Sequence, residues 1–146
     1  MKYTIQMEIT DLKGKLREGT SLKSREYKLE FYDVPPAQIR GNTRAHWRTM
    51  RRINRERRDA AKWLALDAIG SVNFKPMQKA EVFYHFFNNR EIDLDNLIYG
   101  MKSTLDGIVD SGILVDDKPS NMELRVKFTK SDKQNIKTLV YIKELE

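Results

Sequence analysis

Apolar and polar residues alternate near the start of the chain, recur at helical spacing further on, and alternate again at the end. Tyr3–Thr10 places Tyr3, Ile5, Met7 and Ile9 on one side, and Arg25–Asp33 places Tyr27, Leu29 and Phe31 on one side. This period of two predicts two strands. The polar stretch Asp11–Lys23, with two glycines, predicts the hairpin loop between them. Pro35-Pro36 ends the second strand, because proline cannot donate to a ladder. Ala37–His46 then reads as a loop. From Thr49 to about Gly70, the residues Met50, Ile53, Ala60, Ala61, Leu64 and Ala68 recur at three- and four-residue steps and predict a long helix.

After a loop at Ser71–Gln78, Lys79–Asn88 is rich in Val, Phe and Tyr. Its apolar residues occupy both parities, which predicts a central strand covered on both faces. His85 within it reads as a packed histidine rather than a ligand. Leu97, Ile98, Met101, Leu105, Ile108 and Val109 form the stripe of a second helix, from Asn96 to about Ser111-Gly112. Asp95 is its expected N-cap, where free amides and the dipole favour an anion. Met122–Phe128 and Ile136–Lys143 predict a final hairpin across the turn Ser131–Asn135. The order β-β-α-β-α-β-β describes one α+β domain, a mixed sheet packed with two helices. At 146 residues the chain is long enough for a single domain with its own core.

Composition narrows the function. With 33% charged and 40% hydrophobic residues the chain is of the globular class. It has no cysteine, which excludes disulfides, thiolate metal sites and a cysteine nucleophile. That absence also fits a reducing cytoplasm, the expected location. Met1-Lys2-Tyr3-Thr4 opens no apolar targeting run, and no apolar run approaches the ~20 residues of a membrane span. The expectation is a soluble protein without a membrane partner.

The net charge of +6 points to an anionic partner. Its position is more informative than its size. Residues 40–58 hold Arg40, Arg44, Arg48, Arg51, Arg52, Arg55, Arg57 and Arg58 against the single acid Glu56. The guanidinium matches phosphate geometry better than any other side chain. A solvated basic helix face is the ordinary alternative, yet such faces usually carry glutamate partners. Asn42, Arg44, His46 and Trp47 precede the helix, a set suited either to a structural turn or to phosphate contact and base stacking. The candidate DNA-contact residues are therefore Asn42, Arg44, His46, Arg48, Arg51, Arg52, Arg55 and Arg90.

Residues 90–117 carry the candidate chemistry. Asp93 and Asp95 stand two apart after the apolar run Val82–Phe87, so both project from one face if that strand extends. At ~100° per residue, Asp95, Tyr99, Lys102 and Asp106 fall within a helical sector of roughly 60°. A lysine thus shares the face of the acids. The expected helix spans ~22 Å, and the seven residues after Asp110 return ~23 Å if extended. Asp117 would then just reach the helix start. Acids at a helix start are also common caps, and Asp116-Asp117-Lys118-Pro119 also suits an ordinary polar turn.

Asp93-Leu94-Asp95-Asn96-Leu97, Lys102-x-x-Leu-Asp106, Gly112 and Asp116-Asp117 together resemble the RusA family of Holliday junction resolvases, endonucleases of bacteria and their phages. Val34-Pro35-Pro36, Asn42 and His46 resemble that family's Pro-Pro-x-x-Asn segment. The likeness spans about residues 27–145, is specific within 90–117, and leaves residues 1–24 as an addition to the core. It implies a RusA-like fold, with Asp93, Asp95 and Asp117 as catalytic metal-binding carboxylates and Lys102 as a catalytic lysine. In the best-known members the lysine lies four residues after the second aspartate, a position held here by Tyr99. Lys102 is assigned because it precedes Asp106 by four and stays on the same helix face.

The resemblance implies a homodimer that cuts four-way DNA junctions by paired symmetric nicks during recombination and repair. Hard oxygen ligands without thiolates favour one or two Mg²⁺ ions, with Mn²⁺ as a substitute. Two other readings stand beside it. One is a non-catalytic DNA-binding regulator using the arginine helix, for which the acid cluster has no purpose. The other is a PD-(D/E)xK-type nuclease using Asp116-x-Lys118, which lacks the expected proline-linked upstream acid.

Overall fold

The computed structural model describes residues 3–10, 24–41, 43–70 and 73–146, the first of these as backbone alone. The expected loop Asp11–Lys23, the facing of Tyr3, Ile5, Met7 and Ile9, and the candidate contact residue Asn42 lie outside the described residues.

Five strands form one mixed sheet: β1 (Tyr3–Thr10), β2 (Ser24–Phe31), β3 (Ala80–Asn88), β4 (Met122–Lys130) and β5 (Lys137–Glu144). Their spatial order is β1-β2-β5-β3-β4. β1 and β2 pair antiparallel as the expected ribbon, with Tyr3 opposite Phe31. Tyr27, Leu29 and Phe31 are buried as their alternation predicts.

The final two strands do not form the expected hairpin. β4 pairs parallel with β3, whereas β5 is inserted antiparallel between β2 and β3. The chain after β4 crosses the C-terminal end of β3, where the Ser131 amide donates to the Asn88 carbonyl at 2.8 Å. Burial explains the order. β5 carries the buried Leu139, Val140 and Ile142 and lies between two strands. β4 exposes Glu123, Arg125, Lys127 and Lys130, charges that suit an edge strand.

Coverage of β3 also differs from expectation. Ala80, Val82, Tyr84 and Phe86 are buried, but Phe83, His85 and Phe87 on the opposite parity are only half-buried. Those aromatics pack on one another, the His85 ring lying 4.1 Å from that of Phe87 and Phe83 5.7 Å from Tyr141. Arg125 and Lys137 stand over Phe83 and Phe87 at 4.8 and 5.2 Å. The second apolar parity therefore reflects self-packing on one sheet face rather than a second covering layer. His85 is packed as expected, with Nε2 2.7 Å from Thr129 Oγ1. Desolvation, then Lys127 and Lys137, holds its pKa below the ordinary value.

The helices are α1 (Trp47–Ile69), α2 (Leu94–Gly100) and α3 (Lys102–Asp110). α1 begins two residues before the expected start because His46 caps it, Nδ1 accepting from the Arg48 amide at 3.2 Å. The single second helix expected from Asn96 is two segments that meet at Met101. The Met101 amide is shared between the Leu97 and Ile98 carbonyls, both at 3.1 Å, a local tightening of the turn. Asp93, not Asp95, occupies the N-cap position, since the Leu97 amide donates to the Asp93 carbonyl at 3.1 Å. Asp95 falls in the first turn, where the dipole still favours its charge, and accepts from the Asn96 amide at 2.9 Å.

Ala61, Leu64, Ala65 and Ala68 of α1, Leu97 of α2, Ile108 of α3, Met101 at their junction, and the buried parity of β2, β3 and β5 make one core. Burial of each large side chain contributes about 1.5–3 kcal/mol. Two glycines set how closely the layers approach. A Cβ on Gly107 would lie 2.1 Å from the Arg58 carbonyl oxygen, and one on Gly100 would lie 2.5 Å from Pro35 Cβ. α3 therefore packs directly on the α1 backbone, and the arginine-bearing helix and the acid-bearing helix become neighbours.

Candidate nucleic-acid interface and neighbouring cleft

The arginine run divides into two groups once α1 is folded. Its apolar stripe passes through position 57, and Arg57 is accordingly buried, only 3% exposed. Its guanidinium donates to Asp33 Oδ2 at 2.9 Å. Arg58 donates through both prongs of its guanidinium to Asp110, at 2.6 and 2.9 Å. That hydrogen bond raises the Arg58 pKa and lowers that of Asp110. Arg40 Nε donates to the Pro35 carbonyl at 2.7 Å. These arginines hold the protein together.

Arg44, Arg48, Arg51, Arg52 and Arg55 form the other group. All are exposed or half-exposed, and among the described residues none is paired with a carboxylate. Trp47 stands beside them, 54% exposed, its ring stacked 5.8 Å from that of His46. The Arg48 and Arg51 guanidinium groups lie 5.3 and 5.7 Å from the Trp47 ring. With Arg52 and Arg55 they line a shallow groove of about 240 Å³. Unpaired, partly preorganised guanidinium groups around an exposed indole suit a phosphate backbone and a stacked base. Arg90 is also exposed, and its backbone is held by Asn88 Nδ2 at 2.8 Å, just before the acids.

A second, deeper cleft of about 390 Å³ lies between α1 and the α2–α3 pair. Arg51, Asn54, Arg55 and Arg58 line one wall, and Tyr99, Lys102, Ser103 and Asp106 line the other. The expected helical sector is thus largely real. Tyr99, Lys102 and Asp106 share this cleft, with Lys102 Nζ 3.8 Å from Asp106 Oδ1, while Asp95 is not among its lining residues.

The carboxylates are less convergent. Asp93 and Asp95 are exposed at the start of α2, and among the described residues neither has an ion-pair partner. Asp117 is half-buried in the loop before β4, its amide donating to Asp116 Oδ1 at 2.8 Å. That bond, then Lys118 at 3.2 Å, holds the Asp116 pKa below its ordinary value. Tyr84 of β3 is a buried phenol whose pKa is pushed well up, first by burial and then by Asp117 and Asp106.

Among the described residues, no three or more His, Cys, Asp and Glu side chains form a group able to hold a metal ion. The gathering of Asp93, Asp95 and Asp117 expected from chain reach is thus not made within the chain as described. The reason lies in the return loop. It is anchored at the start of β3, where Asn121 Nδ2 donates to the Gln78 carbonyl and Met122 is opposite Ala80. It is also held before Asp117, where Leu114 bridges Met77 ahead of β3: the Met77 amide donates to the Ile113 carbonyl at 2.9 Å and the Val115 amide to the Met77 carbonyl at 3.0 Å. Asp93, by contrast, follows the far end of β3.

Asn54, Ser103 and Tyr84 escaped the reading of the sequence. Asn54 and Ser103 are polar residues beside the apolar stripes, and that position is the signal that marks a helix face lining a cleft. Tyr84 carries no such signal, because its burial depends on the sheet order. No described helix is long and apolar enough to cross a membrane. Set against known proteins, the chain matches no protein-family model and no curated protein sequence.

Proposed function

We propose that this protein is a metal-dependent, structure-selective DNA endonuclease of the RusA-like kind, acting on four-way junctions as a homodimer in the cytoplasm. One observation carries the proposal: the unpaired arginines of α1 and the Lys102–Asp106 face of α3 line the same cleft. A grip for phosphates lies directly beside the helix whose start carries two unpaired carboxylates. A protein that only binds DNA gains nothing from turning such carboxylates toward a polyanion.

Asp93, Asp95 and Asp117 are the residues that would hold Mg²⁺. Their hard oxygens suit that ion, and Asp93 and Asp95 are free of competing cations among the described residues. Mg²⁺ is commonly held by one or two carboxylates together with substrate phosphate, so a pre-formed cage of three is not required. When bound, it supplies Lewis acidity toward the scissile phosphate. Arg48, Arg51, Arg52 and Arg55 hold the DNA backbone without reading sequence. Lys102 opposes charge that develops on the phosphate during attack. A two-fold junction calls for two such sites, which a symmetric dimer provides.

Incubation of the purified chain with a synthetic four-way junction, with and without Mg²⁺, tests the proposal. Paired nicks that depend on the metal are expected. Tight junction binding with no cutting under any divalent ion would instead identify a DNA-binding regulator.

A further inference from the structure

The cleft between α1 and α2–α3 has features that phosphate gripping alone does not use. Ile39 and Met50 give its lining an apolar part, and Tyr99, 58% exposed, lines it as well. Asn54 lines it with a free amide among the described residues. Ser103 lines it too, a residue only 6% exposed whose Oγ is shielded from the open cleft. Of the cations, Arg58 is engaged by Asp110 and Lys102 by Asp106. Arg55 has no carboxylate partner among the described residues and is free to meet an anion.

We infer that this cleft is a binding site for one unpaired nucleotide of single-stranded nucleic acid. The phosphate meets Arg55 and Arg51. The base lies on the Tyr99 ring beside Ile39 and Met50, and its polar edge meets the Asn54 amide. At about 390 Å³ the cleft lies within the size range of small-ligand sites, and a mononucleotide fills such a volume. Every base has a π-face, so the site accepts any base that is out of the stack and excludes paired ones. The inference rests on the reading of α1 as a nucleic-acid surface. It adds that the preferred substrate carries an unpaired nucleotide at or near the branch.

The test uses the whole chain and three probes: deoxyadenosine monophosphate, deoxyadenosine and inorganic phosphate. Binding is followed by calorimetry and by amide chemical shifts. The monophosphate is expected to bind saturably and at least about 10-fold more tightly than either part, with shifts over residues 51–58 and 99–106. Tyr99→Ala, at an exposed position that does not support the core, is expected to weaken it by roughly 5- to 100-fold, whereas Tyr99→Phe retains it. Equal binding of inorganic phosphate and the monophosphate overturns the inference. So does an unchanged affinity in Tyr99→Ala, or shifts confined to Trp47–Arg52. Junction cleavage is scored separately. Nucleotide binding without cleavage removes the nuclease proposal and keeps this site, and cleavage without nucleotide binding does the reverse.

Discussion

Arg57 of α1 donates to Asp33 at 2.9 Å from a position that is 3% exposed, between the solvent-facing Arg55 and Arg58, which is paired with Asp110. Asp33 Oδ1 and two further Arg57 nitrogens are buried without a partner among the described residues. The pair ties α1 to the end of β2, and the Thr138 hydroxyl of β5 reaches the Asp33 carbonyl at 2.7 Å. Arg57 is buried while the Asp33 side chain is 31% exposed, so Arg57→Ala removes one charge-assisted hydrogen bond and is expected to destabilise the fold by about 1.5–3 kcal/mol. Denaturant unfolding of the variant checks this. A change near zero would mean that the pair is solvated.

The exposed arginines behave differently. Replacement of Arg51, Arg52 and Arg55 together by alanine is expected to leave the unfolding midpoint almost unchanged. Binding to junctions and duplexes alike falls, and the salt slope drops by about one unit for each phosphate that the variant no longer neutralises. Fluorescence anisotropy across a salt series measures both. Unaltered binding with an unaltered slope would reduce this face to a solvated surface.

The difference between Arg57 and its exposed neighbours shows how far the sequence could be read. The strands, both helices, the α+β class and the N-terminal ribbon follow from periods of two and of three to four, which are local properties. The position of β5 between β2 and β3 is not local, because burial of Leu139, Val140 and Ile142 between two strands decides it. The split at Met101 follows Gly100, a weak helix former held against Pro35, but how far that residue interrupts the helix depends on a contact distant in sequence. At the candidate site, the helix sector correctly joined Tyr99, Lys102 and Asp106. The chain-reach estimate failed for Asp117, because length limits reach without fixing path, and residues 113–115 are held against Met77 ahead of β3. Arg57 was legible in principle, since a charge on an apolar stripe implies a buried partner.

Lys102 and Tyr99 share the cleft but differ in what they offer a reaction. Lys102→Ala is expected to lower single-turnover junction cleavage by about 10²–10³-fold with little change in affinity, because only the transition state carries the charge it opposes. Tyr99→Phe keeps the ring and should retain most activity. A severe defect in Tyr99→Phe beside a near-normal Lys102→Ala would reverse the two assignments.

The carboxylates test the central claim most directly. Asp93→Asn, Asp95→Asn and Asp117→Asn are each made, and one preparation of each is assayed for Mg²⁺-dependent cutting of a four-way junction and for junction binding by gel shift. Each variant is expected to lose cutting yet bind the junction as well as or more tightly than the parent, because a negative charge facing phosphate is removed. Undiminished cutting by any one of them would remove that residue from the site, and undiminished cutting by all three would contradict a metal-dependent nuclease built on these acids.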